Sequence, residues 1–349
     1  MSRIISIQIL RGVAATLVAG HHLQRASLAE GGDPGFFNLF DGGGIGVDIF
    51  FVISGFIIFY VSANRPAQSG KAFMAARFWR IVPPYWVILT LYIFSALALA
   101  LIFGDQSAVP GLRSFVVSYL LLPHPDQVII IAWTLAIELL FYALFAVTFF
   151  GRNGVSRLVV AMALWVLASQ VFLHFVQQKP EWLLLPLHSA VLEFLFGIFI
   201  AMLFIKRPER IRAVRWPALI LGGMGVGIYL VSGGFEIAPF GREIAAGVPS
   251  ALLVLGALGF TLSKNDLIET WGESSYILYL LHLLYFSVAG TVYRLATGDS
   301  IYHSQLWMAF LLASVTALSY ILTVRLERPY QEWVRRRRNE NTPALDARG

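Results

Sequence analysis

An arginine and a histidine stand eleven positions apart inside one apolar run, residues 4–22, and both are residue types that can do chemistry. If the run is a helix, eleven residues rise about 16 Å in about three turns, so Arg11 and His22 share a face at different depths. Ionisable side chains at membrane depth are costly and tend to mark functional paths. A cation at one level and a titratable imidazole at another would line such a path, with His22 as the base. The plainer alternative has Arg11 snorkelling to a headgroup and His22 hydrated at the helix end. The neighbouring His21 projects roughly 100° away around a helix, so only one of the two histidines should face a cavity.

Other candidates join this pair. Asp48 follows a glycine-rich opening, Gly42-Gly43-Gly44-Ile45-Gly46-Val47-Asp48. A carboxylate on the far ring nitrogen of an imidazole would fix its tautomer and raise its basicity; an acidic residue in a first helical turn is equally the ordinary dipole-favoured choice. Glu138, within Trp133-Thr134-Leu135-Ala136-Ile137-Glu138, falls near the middle of its run. It requires a partner such as Arg11, His21 or His22, or else a proton. Arg77 and Arg80, three apart, share a helical face just before Val82-Pro83-Pro84-Tyr85-Trp86. Paired guanidiniums suit phosphate, although positive-inside charge beside an aromatic belt explains an isolated pair as well. His282 closes Ser275-Tyr276-Ile277-Leu278-Tyr279-Leu280-Leu281-His282, about two turns in from the cytoplasmic side. His188, Glu193 and Glu327 are weaker candidates, the last expected in an interfacial ion pair. The absence of cysteine excludes disulfides, thiolate catalysis and cysteine-ligated metal.

The elements that must position these residues are set by composition. Of 349 residues, 58% are hydrophobic and 13% charged, against roughly 25% charged in a soluble domain. This is the composition of an integral membrane protein. Spanning runs fall at 4–24, 43–63, 83–104, 129–150, 157–176, 184–205, 216–233, 243–262, 275–296 and 304–325. The stretch 112–122 is too short to cross and ends in Pro123-His124-Pro125. With both termini cytoplasmic and 112–122 re-entrant or surface-lying, most of the 26 basic residues fall inside, leaving Arg25, Arg113, Lys179, Arg242 and Arg294 outside. The expectation is therefore an all-α, ten-span protein with one membrane domain at 1–334. A basic cytoplasmic tail at 335–349, expected to be disordered, would anchor to anionic lipid through Arg335 to Arg338. The basic residues follow membrane topology, so nucleic acid is not an expected partner. The first run lacks a basic n-region and a small-residue cleavage site, and is read as retained. A transporter or flippase for a polysaccharide precursor remains the alternative function, weakened by the lack of a visible inverted repeat.

Five motifs in order give the chain a resemblance. Arg11-x10-His22, Gly46-Val47-Asp48 through Gly55-Phe56, Arg77-x2-Arg80, Trp133-x4-Glu138-x2-Phe141-Tyr142 and Ser275-Tyr276-x2-Tyr279-x2-His282 together resemble the membrane-bound acyltransferase-3 family. Within it the chain is similar to exopolysaccharide and lipopolysaccharide O-acetyltransferases. The resemblance implies transfer of an acyl group, usually acetyl, from acyl-CoA as co-substrate to a hydroxyl of a polysaccharide or lipid-linked glycan, in the bacterial inner membrane without a metal. It implies His22 as the essential histidine, either as general base or as transient acyl carrier. Asp48, Glu138 and Arg11 are grouped with His22 as catalytic candidates; Arg77, Arg80, Tyr85 and His282 are grouped toward acyl-CoA. Many relatives carry a fused extracytoplasmic domain, for which no stretch is evident here.

Overall fold

The computed structural model describes residues 4–64, 69–104, 109–235 and 241–340, which form helices and turns without a β-strand among them. In chain order α1 is Ile5–Ala29, α2 Ile45–Ala63, α3 Gly70–Phe103, α4 Leu112–Tyr119 and α5 Ala132–Thr148. There follow α6 Gly154–Phe175, the single turn α7 Glu181–Leu184, α8 Val191–Lys206 and α9 Pro208–Val231. A second single turn, α10 Arg242–Ala245, leads to α11 Gly247–Leu258, α12 Asp266–Thr297, α13 Gln305–Leu322 and α14 Arg328–Glu340.

Hydrocarbon offers no water to backbone groups, so apolar chain at that depth closes its hydrogen bonds within helices. Each of the ten apolar runs does contain a helix. Among the described residues, six helical segments are long and apolar enough to cross a bilayer: Gly35–Ala63, Gly70–Ile102, Gly154–Phe175, Pro208–Val231, Asp266–Thr297 and Gln305–Arg338. The chain is a multi-pass membrane protein. The other four runs fall short for two reasons. Helix α1 has 25 residues, but Gln8, Arg11, His21, His22 and Gln24 dilute its apolar character. Helices α5, α8 and α11 have 17, 16 and 12 residues, below the usual ~20 for a full crossing.

Helix α4 has eight residues and rises only about 12 Å. It is held to α3, where the Tyr85 hydroxyl donates to the Ser118 carbonyl (3.1 Å) and Trp86 Nε1 to that of Tyr119 (2.7 Å). At the other end of the chain, Arg335 to Arg338 belong to α14 and are helical, not a disordered tail. Residues 341–349 of the expected tail lie outside the described residues.

Two helix contacts organise the core. A Cβ on Gly55 of α2 would strike the Phe194 carbonyl, and one on Gly197 of α8 that of Val52, so bare backbone on both sides lets these helices meet. Likewise Gly272 brings α12 against the backbone of Gln8 in α1. Two prolines shape the rods around them. Pro83 lies inside α3 and cannot donate to the Trp79 carbonyl, which instead accepts from the Tyr330 hydroxyl of α14 (2.9 Å). Pro329 likewise lacks an N–H, and the turn before it, Thr323–Glu327, widens into a π-helix joining α13 to α14.

Candidate active site

Helices α1, α2, α3, α5, α12 and α14 enclose a cavity of about 560 Å³, within the range of small-ligand sites, roughly 300–1,000 Å³. Arg11, Arg77, Arg80 and Glu138 all line it, so four of the eight expected site residues meet in one space. Arg77 and Arg80 enter from α3, and Arg328, Arg335 and Arg338 from α14. Arg11 Nη1 stands 3.4 Å from Gln8 Oε1, one turn back on α1. Glu138 takes its hydrogen bonds from Ser54 Oγ of α2 (2.6 Å) and from the Tyr142 hydroxyl one turn along α5 (2.5 Å). Its bonded partners are thus hydroxyls, not Arg11 or a histidine. Glu327 also lines the cavity and accepts from Thr323 Oγ1 (3.3 Å), where an interfacial ion pair had been expected.

On α12 the cavity is lined by Glu273, Ser275, Tyr276 and Tyr279. One turn beyond Tyr279 stands His282, its ring centroid 6.0 Å from that of Tyr279. His282 is fully buried, its Nδ1 donates to the Leu278 carbonyl (3.1 Å), and its Nε2 has no hydrogen-bond partner among the described residues. The His22 ring lies next to it, centroids 5.2 Å apart. His22 and His282 therefore stand together one turn beyond Tyr279, and neither lines the cavity itself. His21 points elsewhere, with Nδ1 donating to the Phe40 carbonyl (3.2 Å). The two adjacent histidines separate as helical geometry requires.

Two expected site residues lie off this path. Asp48 is held by Arg242, with Nε donating to Oδ1 (3.1 Å) and Nη2 to Oδ2 (2.6 Å), while the same Nη2 donates to the Gly44 carbonyl (2.8 Å). The carboxylate is thereby committed to the Arg242 guanidinium, and no hydrogen bond joins it to His22. Tyr85 is fully buried in the α3–α4 contact and does not line the cavity.

An acyltransferase domain model matches residues 4–324. The chain belongs to the acyltransferase-3 family. It is 32% identical over 318 residues to the exopolysaccharide production protein ExoZ of Rhizobium meliloti (strain 1021), covering 85% of this chain and 92% of that protein. No solved structure matches. Membership in an acyltransferase family sets the transporter reading aside.

For an acyltransferase of this family, two sets of residues escape a reading of motifs. Arg242 is one, because its partner Asp48 lies 194 positions away. The other is the cavity face of α14. The signal for it was present in the spacing of Arg328, Arg335 and Arg338, seven and three apart on one helical face.

Proposed function

We propose that this acyltransferase moves an acetyl group from cytoplasmic acetyl-CoA to a hydroxyl of an exopolysaccharide, or of its lipid-linked precursor, at the bacterial inner membrane. The observation that carries the reading is one cavity flanked by Arg77 and Arg80 that reaches Tyr279, one turn from His282 with His22 beside it. The relative's printed role in exopolysaccharide production supports the acceptor class. Ten crossings with both termini cytoplasmic give Arg77 and Arg80 the inner side, where acyl-CoA is made, and His22 the outer half, toward an exported glycan.

In this scheme the CoA phosphates rest on Arg77 and Arg80 and the thin pantetheine arm extends along the cavity. His22 takes the proton from the acceptor hydroxyl. That oxygen attacks the thioester carbonyl, the C–S bond breaks, and the departing thiolate recovers the proton from the imidazolium. Such base catalysis contributes on the order of 10²–10⁴-fold. Arg11, bonded to Gln8 and to no carboxylate among the described residues, sets the potential around the passing thioester. Glu138, fixed by Ser54 and Tyr142, keeps α2 and α5 in register along the wall. Asp48 acts at a distance, by fixing the start of α2.

The test is the acetyl content of exopolysaccharide from a deletion strain. Loss of the acetyl group, with restoration by the wild-type gene and none by His22→Ala, is the expected result. Unchanged acetylation in the deletion strain would overturn the proposal.

A further inference from the structure

We propose that Arg335 and Arg338 of α14 form, with Arg77 and Arg80 of α3, a two-sided clamp for the phosphate-bearing end of the acyl donor. The inference rests on the acyl-CoA reading above and deepens it. The four-arginine run is split by helical geometry. Arg335 and Arg338, three apart, line the cavity together with Arg328, Gln331 and Glu332. Arg336 and Arg337 do not line it, and the Arg337 guanidinium lies over the Trp333 ring at 5.8 Å. Only the outer half of the run thus remains for lipid, with Trp333 exposed on that side. On the inner half, an Arg-x2-Arg pair faces the cavity as Arg77-x2-Arg80 does from α3.

Helix α14 is positioned for this by contacts at its own base. Arg328 grips Glu273 of α12 through Nε (2.8 Å) and Nη2 (2.6 Å), and Nη2 also donates to Thr270 Oγ1 (2.6 Å). The Tyr330 hydroxyl takes the Trp79 carbonyl that Pro83 leaves free, one residue before Arg80. These bonds fix the helix to both α12 and α3, with the second arginine pair one to two turns further out. Arg328 and Glu273 neutralise each other. The rest of the cavity then carries Arg11, Arg77, Arg80, Arg335 and Arg338 against Glu138, Glu327 and Glu332, an excess of cations. Guanidiniums bind phosphate in forked, charge-assisted pairs, and arginines on two walls can hold a diphosphate and a separate monophosphate together. The family match ends at residue 324, before α14 begins. The second pair therefore lies outside the part of the chain that the family model matches.

An anionic lipid headgroup offers the same phosphate chemistry, so the test separates the two sources. Full-length protein is placed in discs of phosphatidylcholine alone or with phosphatidylglycerol, and binding of coenzyme A is measured. In neutral discs Arg335→Gln/Arg338→Gln is expected to weaken coenzyme A about tenfold or more, as loss of charged hydrogen bonds implies. Arg336→Gln/Arg337→Gln should leave it unchanged, and acetyl-pantetheine, lacking the nucleotide end, should be used equally by wild type and both variants. Arg335→Lys/Arg338→Lys keeps the charge without the fork and is expected in between. Equal melting temperatures exclude misfolding, since Arg335 is exposed and Arg338 half-buried. If wild type binds coenzyme A and Arg335→Gln/Arg338→Gln binds it equally in neutral discs, the clamp is overturned and the donor reading stands. If that variant is impaired only in anionic discs, the ligand is lipid. If wild type binds no coenzyme A, both proposals fall.

Discussion

Two regions of this protein set arginines beside carboxylates, and they do so to opposite ends. In the first, Asp48, 2% exposed, is gripped through both oxygens by Arg242, with Glu193 (1% exposed) and Glu243 (3% exposed) close by. Gln170 Nε2 donates to Glu243 Oε1 (3.0 Å), and the void left among these groups is about 10 Å³, room for about one water. In the second, Arg11, Arg77, Arg80, Arg335 and Arg338 line an open cavity together with Glu138, Glu327, Glu332 and the Arg328–Glu273 pair. In the closed cluster the Arg242 guanidinium is committed to Asp48 and the Gly44 carbonyl, which ties α10 to the start of α2. The open cavity sets more arginines than glutamates around a space large enough for a ligand. Charge alone does not mark a site; charge around a space that a ligand can enter does.

The largest effect that would break this contrast lies in the closed cluster. Arg242→Ala leaves Asp48 buried and unpaired; breaking a fully buried ion pair costs about 3–5 kcal/mol, and with the Arg242 side chain 36% exposed the loss falls at the lower end of that range. Thermal unfolding in detergent should show it, and Arg242→Met with Asp48→Leu should regain most of the loss. An undisturbed melting curve for Arg242→Ala would make the cluster something other than scaffold. Arg80→Ala is the opposite case. It should leave unfolding nearly unchanged and raise the KM for the acyl donor about tenfold, the value of a charged hydrogen bond. Destabilisation with an unaltered KM would move Arg80 from the second region into the first.

The sequence carried the long-range plan of the molecule well and its local pairings poorly. Apolar runs predicted every long helix, because hydrocarbon leaves an apolar chain little choice. The Arg11–His22 spacing fixed a shared face; Arg11 lines the cavity, whereas His22 stands outside its lining against His282. His21 and His22 also separated as a 100° step demands. What spacing could not show was rotation and distant partnership. Asp48 and Arg242 are 194 residues apart, and nothing local to either announces the other. Glu138 sits in the cavity, but its partners are hydroxyls from Ser54 and Tyr142, which are uncharged and leave no signal in a charge count. His282 lies beside His22 because α12 crosses α1 where Gly272 admits it, and that crossing is a property of packing. Tyr85, part of a motif, is used for holding α4.

Smaller effects sharpen the same contrast. Tyr330→Phe removes only the hydroxyl that takes the freed Trp79 carbonyl, at a cost of about 0.5–1.5 kcal/mol. It should loosen α14 and weaken donor binding more than it lowers the melting temperature; the reverse would make α14 plain scaffold. The smallest effect lies far from both regions. In the loop between α12 and α13, His303 Nε2 is 3.0 Å from the Glu30 carbonyl and Nδ1 is 3.1 Å from Asp299 Oδ1. The Glu30 carbonyl, and then Asp299, raise its pKa above the ordinary 6.5. A raised imidazole pKa gives stability that is complete below about pH 6.5 and lost as pH climbs through the folded value. His303→Gln should flatten the slight fall in melting temperature above pH 6.5, and an unchanged fall would assign it to another group.

The central claim is that one cavity binds the donor and delivers its thioester to His22. The direct measurement is made on purified His22→Ala, scoring coenzyme A binding and transfer from labelled acetyl-CoA to exopolysaccharide in the same preparation. Binding like wild type with transfer reduced by about 10²–10⁴-fold is the predicted result. Transfer at the wild-type rate would contradict it.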